Sequence, residues 1–114
     1  MNLNINCYNF ENQLDKEESI KGATYAILLP AKILKLLKIV NNNLYCVVDL
    51  DSIEKSFVQF SYIPPNHDIK YIDKKLNDEF NSYQFLGEYE VDNGEFVFLF
   101  GRVLTEKEIK EIDG

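Results

Sequence analysis

Apolar and polar residues alternate strictly at the start of the chain, with Leu3, Ile5 and Cys7 set against Asn2, Asn4 and Asn6. A two-residue period of this kind predicts a half-buried strand. Asn9 then caps a predicted polar helix over Phe10–Lys21, with Phe10 and Leu14 four apart and Gly22 ending it. Ala23–Leu29 is a short unbroken apolar run and predicts a buried strand. Pro30 suits the first turn of a helix, where its missing N–H costs nothing. Pro30–Val40 is therefore expected to be helical, with Lys32, Lys35 and Lys38 gathered on one stripe and Ile33, Leu34, Leu36, Leu37, Ile39 and Val40 filling the rest. The pattern over 23–50 also admits a meander of strands.

Asn41–Asn43 predicts a turn, and Leu44–Leu50 and Phe57–Ile63 predict two strands. Between them Asp51-Ser52-Ile53-Glu54 has the spacing of a capping box or a tight turn. Pro64-Pro65 stops the second strand, after which Ile69, Ile72, Leu76 and Phe80 recur at helical spacing and predict a helix over Asn66–Tyr83. Thr105, three residues before Glu108, opens a second capping box and a closing helix over Glu106–Asp113.

The sharpest local signal is Asp92-Asn93-Gly94-Glu95, because Asn-Gly supplies both positive-φ positions of a two-residue hairpin turn. An uninterrupted register from that turn sets Val91 opposite Phe96, Glu90 opposite Val97, Tyr89 opposite Phe98, Glu88 opposite Leu99 and Gly87 opposite Phe100. One face then holds Phe85, Tyr89, Val91, Phe96, Phe98 and Phe100 and is expected to be core, Gly87 leaving space for the Phe100 ring. The other presents Glu88, Glu90, Asp92 and Glu95 around Val97 and Leu99. Asp92 opposite Glu95 works against folding, since like charges paired across a sheet repel.

The charge distribution sharpens that picture. Residues 78–114 hold ten acids and three bases, whereas residues 1–77 hold nine of each, so the last third carries the whole net charge of −7. A charge confined to one region makes a negative face, which steers basic partners and repels nucleic acid and acidic membranes. At 114 residues, 46% hydrophobic and 27% charged, the chain can bury a core without disulfides or a metal. Cys7 and Cys46 both sit in apolar runs and are expected to be buried free thiols, which suits an intracellular protein. The first residues have neither a basic stretch nor a long apolar one, so no secretory leader is expected. Pro30 and three lysines break the longest apolar stretch, Ala23–Val40, so it does not read as a membrane span.

Candidate chemistry is sparse. Asp49, Asp51 and Glu54 could in principle hold Mg²⁺, but no glycine-rich phosphate loop accompanies them and a capped turn explains their spacing. His67 follows Pro-Pro-Asn at the predicted helix start, where Asp68 beside it suits a first-turn acid better than the partner of a general base. Neither cysteine has the context of a nucleophile or a zinc ligand. Gly87, Gly94 and Gly101 fit turn and sheet roles rather than a nucleotide fingerprint. No catalytic residue, metal or cofactor is assigned.

These observations predict an α+β fold: a mixed, mainly antiparallel sheet of five or six strands with two to four helices packed on it, in a single domain. The expected role is that of a cytoplasmic binding or inhibitor protein whose acidic face, Glu88, Glu90, Asp92, Glu95, Val97 and Leu99, occludes a basic protein surface. Small bacterial immunity proteins and phage-encoded nuclease inhibitors share this profile of small size, acidity and no catalytic residues. The richness in Asn, Lys and Ile suits an AT-rich bacterial, phage or viral genome. The alternatives are an oligomer in which the Lys32, Lys35, Lys38 stripe of one copy meets the acidic hairpin of another, or a small enzyme or ligand binder with a pocket between sheet and helices.

Overall fold

The computed structural model describes residues 1–9, 21–92 and 94–113. The described residues form, in chain order, β1 (Leu3–Asn9), β2 (Ala23–Leu29), β3 (Lys32–Val40), β4 (Asn43–Asp49), β5 (Ser56–Ile63), α1 (Lys74–Asp78), β6 (Gln84–Asp92), β7 (Glu95–Val103) and α2 (Glu106–Asp113). Single 3₁₀ turns at Ile69–Tyr71 and Phe80–Ser82 flank α1. The α+β class holds. The strands divide between two antiparallel sheets, one ordered β1-β4-β3 and the other β2-β5-β7-β6. The helix expected over Phe10–Lys21 falls, but for Lys21, outside the described residues, and so does Asn93 of the hairpin turn.

The predicted helix over Pro30–Val40 is instead β3, and the reason lies in its neighbours. Asn41 and Asn42 both take left-handed φ, 51° and 67°, the conformation of a two-residue hairpin turn, and they fold Val40 back opposite Asn43. Two bulges then stretch β3 against β4: Lys32, Lys35 and Lys38 pair with Asp49, Val47 and Tyr45, three-residue steps against two. Ile33, Leu36 and Ile39 pair likewise with Val48, Cys46 and Leu44, and all six are buried. The bulges thus reproduce in a strand the three-residue spacing of a helix stripe.

The expected helix over Asn66–Tyr83 is broken into α1 and its two flanking turns. Asp73 is the breakpoint: its side chain accepts the Leu76 N–H (3.0 Å) as N-cap of α1 and also accepts the Ser61 hydroxyl from β5. After β4 the chain turns over Asp49–Ser52, where the Ser52 N–H donates to the Asp49 carbonyl (3.3 Å), and the Asp49 and Ser52 side chains accept the N–H groups of Asp51 (3.0 Å) and Glu54 (3.1 Å).

The main core lies between the sheets. From the first come Ile33, Leu36, Ile39, Leu44, Cys46 and Val48; from the second Ile27, Leu29, Val58, Phe60, Tyr62, Leu86, Tyr89, Val91, Val97 and Leu99. Burying each large side chain there stabilises by about 1.5–3 kcal/mol. Gly101 lets the layers close, since a Cβ there would sit 2.9 Å from Leu86 Cδ1 and 3.2 Å from Leu36 Cδ1. Gly87 lies against Ile39 rather than beneath the Phe100 ring. A smaller cluster of Ile63, Leu76 and Tyr83, joined by Ile69, Ile72 and Phe100, fixes the α1 segment to the outside of the second sheet.

Candidate functional site

The hairpin opens as its turn sequence predicts, with Asp92 opposite Glu95, and then departs from the expected register. A bulge at Val91 shifts the pairing by one residue, so Glu90 faces Phe96, Tyr89 faces Val97, Glu88 faces Phe98 and Gly87 faces Leu99. A second bulge at Leu86 brings Phe85 opposite Phe100. A one-residue slip exchanges the two faces of one strand relative to the other. Val97 and Leu99, expected on the acidic face, are therefore in the core at 1% and 0% exposure, covered by the opposite sheet. The phenylalanines of β7, expected in the core, share the outer face with the glutamates.

That outer face is a ladder of rings. Phe96 packs edge-on to Phe98 (centroids 5.4 Å), Phe98 lies 6.3 Å from Phe85, Phe85 5.3 Å from Phe100, and Phe100 5.7 Å from Phe80. Phe98 and Phe100 are half-buried, whereas Phe80, Phe85 and Phe96 remain 51%, 49% and 39% exposed, far more than solitary packing roles require. Phe100 is anchored beneath the α1 segment, so the ladder stands on a fixed base.

Glu88 and Glu90 stand directly opposite Phe98 and Phe96, and Glu95 lies at the hairpin end. All three are exposed, and none forms an ion pair among the described residues. Beside Phe96 a shallow open groove is bounded by Pro64, Pro65, His67, Glu95 and Phe96. His67 is exposed there, its Nδ1 2.9 Å from the Pro65 carbonyl oxygen.

The lysine stripe survives, on a strand rather than a helix. Lys32, Lys35 and Lys38 occupy the outer face of the first sheet, level with Asp49, Val47 and Tyr45. Lys32 is 3.5 Å from Glu54, while Lys35 and Lys38 have no acidic partner among the described residues. Acidic hairpin and lysine stripe thus lie on different sheets and are not brought together.

Other acids serve the fold. Glu108 closes the predicted capping box: its side chain accepts the Thr105 N–H (3.1 Å) and its own N–H donates to Thr105 Oγ1 (3.3 Å). It also pairs with Arg102 and, at 3.0 Å, with Lys75. The Arg102 guanidinium, helped by the Thr105 N–H and Lys75, holds the Glu108 carboxyl well below the usual carboxylate range. Arg102 in turn lies over the Tyr83 ring at 5.2 Å.

Asp49 accepts backbone N–H groups from Asp51 and Asn2, which lower its pKa, and Glu54 turns to Lys32. Among the described residues no three His, Cys, Asp or Glu side chains gather closely enough to hold a metal ion. Cys46 is buried, and burial pushes its thiol up to about 11; Cys7, expected to be buried, is exposed, and both are free. Among the described residues no helix is long and apolar enough to cross a membrane.

Sequence reasoning missed the exposed ring ladder because Phe96-Val97-Phe98-Leu99-Phe100 is apolar at both alternations, so periodicity could not say which set turns inward. Compared with protein-family models, curated proteins and solved structures, the chain has no significant match.

Proposed function

We propose that the chain is a small acidic binding protein that occludes a basic surface of a macromolecular partner, in the manner of immunity proteins and of phage or viral inhibitors. One observation carries the reading: phenylalanines, of which Phe80, Phe85 and Phe96 are exposed, share a face with glutamates that have no counter-charge among the described residues. Exposed rings invite non-specific association, and unpaired acids are common on surfaces. Side by side they suit an arginine-bearing surface, because a guanidinium can stack on a ring while its N–H groups meet a carboxylate. The acids steer the encounter and the rings supply buried area at the centre.

The test is capture of partners from lysate at low and at about 0.5 M salt, where surface attraction is screened. Glu88→Lys with Glu90→Lys and Glu95→Lys tests the charge, and Phe85→Ser with Phe96→Ser tests the rings. The expected result is a basic protein held by the native chain, released by both variants, and prevented by the native chain from binding a polyanion such as heparin. Capture of the same protein by the lysine variant would sink the proposal.

A second reading, a head-to-tail oligomer, is favoured by the gathering of Lys32, Lys35 and Lys38 on one face, complementary to the acidic ladder. Its mark is self-association that disappears at high salt and in the Glu88→Lys, Glu90→Lys variant.

A further inference from the structure

We infer that β1 is the seam of a symmetric dimer: its outer edge, which pairs with no other strand among the described residues, pairs antiparallel with β1 of a second copy so that two three-stranded sheets become one continuous sheet. The backbone sets this up. The Leu50 N–H donates to the Asn2 carbonyl at 2.8 Å, so even-numbered residues turn their backbone groups toward β4. Strand geometry then points the N–H and C=O of Leu3, Ile5 and Cys7 away from β4, out of the sheet edge.

Natural edge strands are guarded by charge, proline or a bulge. Residues 2–9 contain no charged residue and no proline, and β1 pairs with β4 through seven residues without a register shift. Its side chains add a second, independent observation. Asn4, Asn6 and Tyr8 pair with the buried residues Val48, Cys46 and Leu44, while Leu3 and Ile5 turn to the outside, 56% and 62% exposed. This reverses the burial expected of the alternating pattern, and a shallow groove along the edge is lined by Leu3, Asn4, Ile5 and Val47.

The occupant follows from charge and register. On a chain of net charge −7, two copies repel least along a stretch that carries no charge. When two identical strands pair about Asn6, Ile5 of each lies opposite Cys7 of the other and Asn6 lies opposite Asn6. That register sets odd residues against odd ones, so outward N–H groups meet outward carbonyls, as a two-fold contact requires. The other uncharged edge strand, β2, buries Ile27 and Leu29 and exposes only Leu28 among its large aliphatic side chains, so it offers less.

Sedimentation velocity on the full chain under reducing conditions tests this, from about 5 to about 500 µM, the range suited to a small interface. The native chain should move from monomer to dimer as concentration rises, equally at low salt and at about 0.5 M, because backbone bonds and apolar contact are little screened. Ile5→Lys should weaken dimerisation about tenfold or more by placing a charge on the seam. Ile5→Pro should do the same while keeping the thermal midpoint, since it removes an N–H that β4 does not use. Leu28→Lys on β2 should leave the dimer intact. A bismaleimide spanning about 8 Å, the distance between diagonal cross-strand neighbours, should join Cys7 to Cys7 in the native chain and not in Ile5→Lys. A monomer throughout, a dimer that survives both Ile5 variants, or one that dissolves in salt would overturn the inference.

Discussion

Glu108 and the pair Glu88 and Glu90 belong to the same acidic third of the chain, yet their surroundings differ at every contact. Glu108 is mostly enclosed, receiving the Thr105 N–H, the Arg102 guanidinium and the Lys75 ammonium. Glu88 and Glu90 stand exposed opposite phenylalanine rings with no cation in reach among the described residues. The first carboxylate joins α2 to β7 and α1, whereas the other two do nothing for the fold that the structure displays. Net charge sums these residues as equals; their pairing separates the ones that hold the molecule together from the ones left available to a partner.

Glu108→Ala gives the largest effect this contrast predicts. It removes half of the α2 capping box and leaves Arg102, whose side chain is 11% exposed, without its carboxylate. Stripping one member from a mostly buried pair together with a cap should cost about 3 kcal/mol, read from urea unfolding. The pH dependence sharpens it. Because the folded carboxyl titrates below its unfolded value, the unfolded chain takes up the proton first as pH falls. The stabilisation is complete above about pH 4.3, the ordinary glutamate value, and is lost progressively below it. The stability difference between the native chain and Glu108→Gln should therefore shrink from pH 5 to pH 3 (both about the limits of that window). A constant difference would show that the charge of Glu108 is not what stabilises.

Asp73 sharpens the comparison from the buried side. Asp73→Ala takes the N-cap from α1 and leaves the fully buried Ser61 hydroxyl without its acceptor. A cap and an unsatisfied hydroxyl together predict a loss of about 2 kcal/mol in the same unfolding measurement. Glu88→Gln, by contrast, should stay within about 0.5 kcal/mol of the native chain.

Much of this was legible from local chemistry. The strand over Ala23–Leu29, the Thr105–Glu108 capping box and the Asp92–Glu95 turn pairing follow from residues adjacent in sequence. What resisted in β3 and the hairpin was set by bulges, which depend on the partner strand. Two bulges in β3 imitated the spacing of a helix, and one at Val91 exchanged the faces of the hairpin. The Asn41-Asn42 pair, able to hold two successive left-handed residues, was the available sign that Pro30–Val40 returns as a hairpin strand. For the site, the glutamates were readable from their charge. The rings beside them were not, because β7 offers an apolar residue on either face and only the opposing sheet decides between them.

One small effect has the opposite sign. Glu95 pairs with Asp92 at the end of the hairpin, which sets two acids opposite each other. Glu95→Lys converts that repulsion into attraction and should raise stability by a few tenths to about 1 kcal/mol, against a loss at Glu108. If the free acids persist for a partner, the same change that steadies the folded chain should weaken capture of a basic protein, so stability and binding move apart. A Glu95→Lys variant that gained stability and kept its partner would assign the hairpin end to neither task and confine the binding face to Glu88, Glu90 and the rings opposite them.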